Sequence, residues 1–172
     1  VRMIRSWLGG ALLLFTLAAQ AVEIGQVAPE TKGPRLLYDQ AIDLKDLRGK
    51  TVLLDFWASW CGPCKQSLPM LDEMRSDLVA AGYPDMFEII AVNLDEDPEA
   101  AKKFLQRYPV SYPVIADPKA ELAVLYKIPT MPTSFIIDSD GVVRWRHEGF
   151  RASELSEIRR QLVQTMNGGG AQ

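Results

Sequence analysis

Residues 51–65, TVLLDFWASWCGPCK, join the strongest strand pattern of the chain to its longest helical one. Thr51–Trp57 is β-branched, aromatic and almost continuously apolar, as expected of a central strand buried on both faces. From Pro63 to about Ala81, apolar residues recur at Leu68, Leu71, Met74, Leu78 and Val79, with Asp72, Glu73, Arg75 and Asp77 between them. This is one apolar stripe on a helix, stopped by Gly82 and expected to kink at Pro69. Cys61 and Cys64 sit at the junction. A bare Cys-x-x-Cys also suits metal binding, so the strand before it and the helix after it are what make the pair informative.

Placed at the helix N-cap, Cys61 meets unpaired backbone N–H groups and the positive end of the helix dipole, which favour a thiolate. Cys64, one turn further in, is expected to face the protein and to be less reactive. One sulfur attacks and the other resolves. Pro63 presets φ near the helix start, and Gly62 leaves the attacking sulfur uncrowded and open to a protein disulfide. Asp55 is a carboxylate inside an apolar strand. Burial raises such a group's pKa, which suits it to take the proton that Cys64 must lose; the plainer reading is an acid paired with Lys50 or Lys65. Trp57 reads as core and Trp60, beside the nucleophile, as contact surface. A static bridge is the structural alternative for the cysteines, but so small a loop restricts the unfolded chain little.

Outward from this segment, Met86–Asn93 reads as a second buried strand. Asp97-Pro98 opens a helix to about Tyr108, with Pro109 beyond it. A short strand (Pro113–Ala116), a short helix (Ala120–Tyr126) and two strands (Thr133–Asp138, Val142–His147) follow, the last two joined by the hairpin turn Asp138-Ser139-Asp140-Gly141. Ser153 is expected to cap a final helix from Glu154 to Met166, and 167–170 to fray. Upstream, Val22 to Gly33 reads as an extended lead-in, with structure starting near Arg35 and a hairpin of Arg35–Tyr38 and Ala41–Leu44 around Asp39-Gln40. The order predicts an α/β sandwich around one mixed sheet, with the hairpin strands antiparallel.

The whole chain has 172 residues, 19 Lys and Arg against 22 Asp and Glu, and a formal charge of −3. One domain of ordinary size follows, and no basic block suits nucleic acid. Two cysteines and the lone His147 cannot supply four zinc ligands, and Asp95-Glu96-Asp97 reads as helix N-terminal acids rather than a cation site, so no metal is expected. Residues 1–21 carry Arg2 and Arg5, an apolar run from Trp7 to Ala19, and small residues at Ala19 and Ala21. That is the order of a cleaved signal peptide, an uncleaved anchor being the alternative; residues 22–172 then form the exported domain.

Leu54-Asp55-Phe56-Trp57-Ala58-Ser59-Trp60-Cys61-Gly62-Pro63-Cys64-Lys65 resembles the active-site segment of the thioredoxin superfamily. Pro69 matches the kinking proline of that family's active-site helix, and Thr130-Met131-Pro132-Thr133 lies where the family carries its cis-proline loop. Enough residues separate these landmarks for one strand and one helix more than plain thioredoxin has. With the leader and the phrase Phe56-Trp57-Ala58-Ser59-Trp60, this looks most like the exported TlpA/ResA branch. The resemblance implies a three-layer thioredoxin-like sandwich and a thiol-disulfide oxidoreductase with Cys61, Cys64 and Asp55 as catalytic residues. It also implies a substrate contact surface of Trp60, Gly62, Pro63, Met131 and Pro132, with a cis Met131–Pro132 bond that presents the Met131 backbone to an extended substrate. Thr130 stands where plain thioredoxin has glycine. Thr133 stands where the specialised CcmG-type proteins carry glutamate, which favours the general TlpA/ResA role.

Gly62-Pro63 offers no charge or ring N–H to stabilise a reduced thiolate, so the pair is expected to act as a reductant outside the cytoplasm. Protein disulfides are the implied substrates, apocytochrome c and copper-handling proteins among them, and a membrane conductor of the DsbD or CcdA type is the implied electron donor. No cofactor is expected, since the two sulfurs carry the electrons. The competing readings are a copper-binding chaperone, for which the cysteine spacing is short, and a thioredoxin-fold peroxidase, for which Trp60 before Cys61 is the wrong context.

Overall fold

A computed structural model describes residues 22–38 and 40–168; the leader expected over 1–21, Asp39 and the last four residues lie outside them. Seven strands are described: β1 Lys32–Pro34, β2 Ala41–Asp43, β3 Thr51–Trp57, β4 Phe87–Asn93, β5 Val114–Ala116, β6 Thr133–Ile137 and β7 Val143–Glu148. Four α-helices alternate with them: α1 Cys64–Ala80, α2 Pro98–Arg107, α3 Glu121–Leu125 and α4 Leu155–Met166.

The main sheet has the order β5-β4-β3-β6-β7, with β3 at its centre, parallel to β4 and antiparallel to β6. Successive side chains of a strand point to opposite faces, and the two cores follow that alternation. Leu53, Trp57, Ile89, Ala91 and Ile136 pack with residues of α1, α2 and α4 on one face. Leu54, Phe56, Ile90, Val92, Phe135 and Ile137 pack with Leu122, Tyr126 and Leu44 on the other. This is the three-layer α/β sandwich expected. Between the active-site segment and the proline loop lie α1, β4, α2, β5 and α3, which accommodates the additional strand and helix.

Three expectations need correction. The lead-in is docked on the domain: Gly25 and Ala28 donate backbone hydrogen bonds to Val143 and Gly141 (2.7 and 2.9 Å), and the buried Thr31 hydroxyl lies 2.6 Å from that of Tyr126. Backbone pairing to an edge strand needs no side-chain pattern, which is why sequence alone passed over it. The first arm of the small hairpin is Lys32–Pro34, not Arg35–Tyr38. This arm crosses the edge strand β5, and a Cβ at Gly33 would come within 2.6 Å of Ile115 Cγ2, so the residue that reads as a breaker is there because the approach is close. Ser153 is not the cap of the last helix. It lies in a 3-10 turn, Ala152–Glu154, whose entry is fixed by the Glu154 carboxylate accepting from the Arg151 N–H at 2.8 Å.

Candidate active site

β3 ends at Trp57, and the chain turns through Ala58, Ser59 and Trp60 before reaching Cys61. The turn is held from β4. Asp95, just past that strand, is buried; its carboxylate accepts from the Ser59 N–H (2.9 Å), the Ser59 hydroxyl (2.8 Å) and the Asn93 side-chain amide (2.6 Å). Asp95 therefore does not complement the dipole of α2, the role its place before Pro98 suggests. The capping acid is Asp97, which accepts from the Glu99 N–H, whereas Asp95 is the anchor of the active-site turn.

Cys61 and Cys64 form a disulfide with their Cα atoms 5.3 Å apart. α1 begins at Cys64, so Cys61 lies in the preceding turn rather than at the formal N-cap. Its sulfur still does the work of a cap by accepting from the Cys64 N–H at 3.3 Å, which brings a helix-terminal donor to that sulfur. The two cysteines differ in exposure, 4% for Cys61 and 0% for Cys64. Cys61 is therefore the outer member of the pair, but it is not the open sulfur expected. Its Sγ is bonded to that of Cys64. Trp60 is 69% exposed, and Gly62 and Pro63 are exposed beside it.

Asp55 is 1% exposed, two residues before Trp57 on the same side of β3, and so on the face of the sheet whose core contains Cys64 and α1. Removal from water raises its carboxyl to about 7, opposed by a hydrogen bond at 2.6 Å from the Ser134 hydroxyl to Oδ1. Oδ2 is buried without a partner. Among the described residues neither Lys50 nor Lys65 is paired with it: Lys50 Nζ lies 4.0 Å from the Asp85 carboxylate, and Lys65 is exposed. Ser134 stands directly opposite Asp55 in the β3–β6 register. Tyr112, also buried on this face, donates to the Leu68 carbonyl at 3.0 Å, and burial followed by the charge of Asp55 pushes its hydroxyl well above the ordinary range.

The Met131–Pro132 peptide bond is cis. Thr133 lies opposite Phe56, so the proline loop reaches the end of the sheet from which the Ala58–Cys61 turn departs. Pro132 is buried and Met131 half-buried; the Thr133 hydroxyl closes the loop by donating to the Thr130 carbonyl at 2.8 Å. Trp57 lies in the core, its ring centroid 5.0 Å from that of Phe104. His147 is on β7, stacked on Trp145 and 3.3 Å from a carboxylate oxygen of Glu154. Among the described residues no three of His, Cys, Asp and Glu come together as a metal site. Sequence reasoning missed Ser134 and the Asn93–Asp95–Ser59 anchor. The first is legible only as a small polar residue in an apolar strand, the second only once β4 is known to lie beside β3.

Residues 24–146 match the AhpC/TSA family. Thiol-disulfide oxidoreductase ResA of Bacillus thuringiensis subsp. konkukian is 36% identical over 138 residues, covering 80% of this chain and 77% of that protein. Thioredoxin-like protein YneN of Bacillus subtilis is 29% identical over 176 residues, covering 93% and 99%. Among solved structures, a Chlorobium tepidum protein described as a thiol:disulfide interchange protein DsbE superposes with a TM-score of 0.78 at 38% identity, over 85% of this chain and 99% of that one.

Proposed function

Because the chain belongs to the AhpC/TSA family and, among its members, is kin to the ResA thiol-disulfide oxidoreductases, we propose that it reduces protein disulfides outside the cytoplasm. The observation that carries this reading is the pairing of a bridge at the mouth of α1 with a buried carboxylate, one of whose oxygens has no partner, on the same face of the sheet.

In the reduced protein the Cys61 thiolate attacks one sulfur of a substrate disulfide. A mixed disulfide forms and one substrate thiolate leaves. Cys64 then loses its proton and attacks Cys61 Sγ, the second substrate thiolate leaves, and the Cys61–Cys64 bridge closes. Two electrons have passed to the substrate. Asp55 is assigned the proton of Cys64: a carboxylate titrating near neutrality accepts a proton at working pH and returns it, which one at the ordinary value does poorly. Trp60, Gly62 and Pro63 form the contact surface around the sulfur, and the Met131 backbone offers strand-like hydrogen bonds to the substrate.

Gly62-Pro63 supports the reducing direction, near thioredoxin at about −270 mV rather than DsbA at about −120 mV. A leader over residues 1–21 takes the protein out of the cytoplasm, where a membrane conductor of the DsbD or CcdA type recharges it. Apocytochrome c and copper-handling proteins are its substrates on this reading.

Insulin-disulfide reduction driven by dithiothreitol tests it. The wild type turns over, Cys64→Ser accumulates mixed disulfides with substrate, and Cys61→Ser forms none. Turnover that persists without either cysteine contradicts the proposal. Stoichiometric copper retention by an inactive protein replaces it with the chaperone reading.

A further inference from the structure

Next to the bridge lies a hollow of about 290 Å³. Ser59, two residues before Cys61, and Lys65, the residue after Cys64, line the side toward the site; Lys103 and Arg107 of α2 line another, with Phe104 and Tyr108 between the elements. Lys103 and Arg107 stand four residues apart, and so do Phe104 and Tyr108, making two adjacent rows along the helix. Phe104 is buried against Trp57 and fixes the helix to the strand that carries the site. The wall is therefore packed directly on the strand that leads into the site.

Three cations line this hollow and no carboxylate does, in a chain whose formal charge is −3. Among the described residues none of the three takes part in an ion pair, although Lys102, beside Lys103, is paired with Glu99 at 2.7 Å. Helix stability accounts for only one of them. Arg107 lies in the last turn of α2, where a cation complements the dipole. Lys65 is the second residue of α1, at the positive end of its helix, where a cation is unfavourable. Like charges gathered without counter-charges around a concave surface are a locally unfavourable arrangement that an incoming anion relieves.

We propose that this hollow is the docking subsite for an acidic segment of the protein whose disulfide is exchanged; the inference rests on the oxidoreductase reading above and specifies the partner's charge. A carboxylate-bearing stretch seated between Lys65 and Arg107 holds its own disulfide beside Cys61, and the Phe104 and Tyr108 rings offer apolar contact to its stems.

The test uses three synthetic peptides with one internal disulfide, identical except for four flanking glutamates, glutamines or lysines. Each is mixed in excess with pre-reduced protein at low ionic strength, and the second-order rate of bridge formation is followed. With three exposed charge pairs available, the glutamate peptide reacts about tenfold faster than the glutamine peptide. The preference collapses in salt as the Debye length falls from about 30 Å at 0.01 M to about 3 Å at 1 M. In Lys103→Gln/Arg107→Gln the two rates come within twofold; in Lys103→Glu/Arg107→Glu the lysine peptide becomes the fastest, a gain that a misfolded variant does not show. A wild-type ratio within twofold, or a tenfold ratio that survives the double substitution, overturns the docking subsite while leaving the redox reading in place. If none of the peptides is reduced, the oxidoreductase reading fails, and the subsite with it.

Discussion

Replacing Asp55 by Asn removes a titration that the fold opposes, and the consequence is a change in how stability depends on pH. In the folded protein burial lifts the carboxyl from the ordinary 3.8 to about 7. Between these values the unfolded chain has released a proton that the folded chain still holds, so raising the pH favours unfolding. Below about 4 both states hold the proton and the full stability is present; above about 7 both have lost it and the loss is complete. Three units of displacement correspond to about 4 kcal/mol at 1.36 kcal/mol per unit. Asn carries no such dependence. Its amide N–H, set where Oδ2 now lacks a partner, costs about 1–3 kcal/mol at every pH. The variant is thus expected to be less stable than wild type at pH 4 and to gain on it by about 4 kcal/mol on reaching pH 8. Urea denaturation of the oxidised proteins at half-unit steps measures the difference. A gap between the two that stays constant within about 1 kcal/mol across that range refutes the reasoning.

Asp95→Ala removes the buried carboxylate that accepts three hydrogen bonds and is expected to cost about 3 kcal/mol in denaturant melts and to slow reaction with every disulfide, since the Ser59 turn loses its anchor. Trp60→Ala, at an exposed position, is expected to leave stability within about 0.5 kcal/mol while slowing reduction of protein substrates more than of a small neutral disulfide. Gly33→Ala forces a methyl group against Ile115 and is expected to cost about 1–3 kcal/mol by the same melts.

The middle of the sheet is legible because β3 and β4 are buried on both faces. Thr51–Trp57 was read with the boundaries it has, and Phe87–Asn93 to within one residue, since a continuous apolar run admits few alternatives at that length. Asp97 and Pro98 announced α2 through capping chemistry that is local by nature. The failures share a cause. The docked lead-in, the hairpin arm through Gly33, and the Asp95 anchor all depend on which element lies alongside, and adjacency between elements far apart in the chain is not written in neighbouring residues. Cys61 lies one turn ahead of α1 as its spacing suggests, yet its low exposure in the bridged protein is set by packing that the sequence does not show. Ser134 shows the same limit from the other side: nothing near it in sequence marks it as the partner of Asp55, 79 residues away.

The central claim is that the two sulfurs are unequal, the outer one ionised first and the inner one held in reserve. Alkylation of the reduced protein by iodoacetamide, followed by mass spectrometry of each cysteine from pH 5 to 10, measures this directly. The account predicts that Cys61 is modified first, with a midpoint below the roughly 8.5 of a free cysteine, and that Cys64 is modified only at higher pH. Equal rates at the two positions, or a Cys61 midpoint at or above that of a free thiol, contradict it.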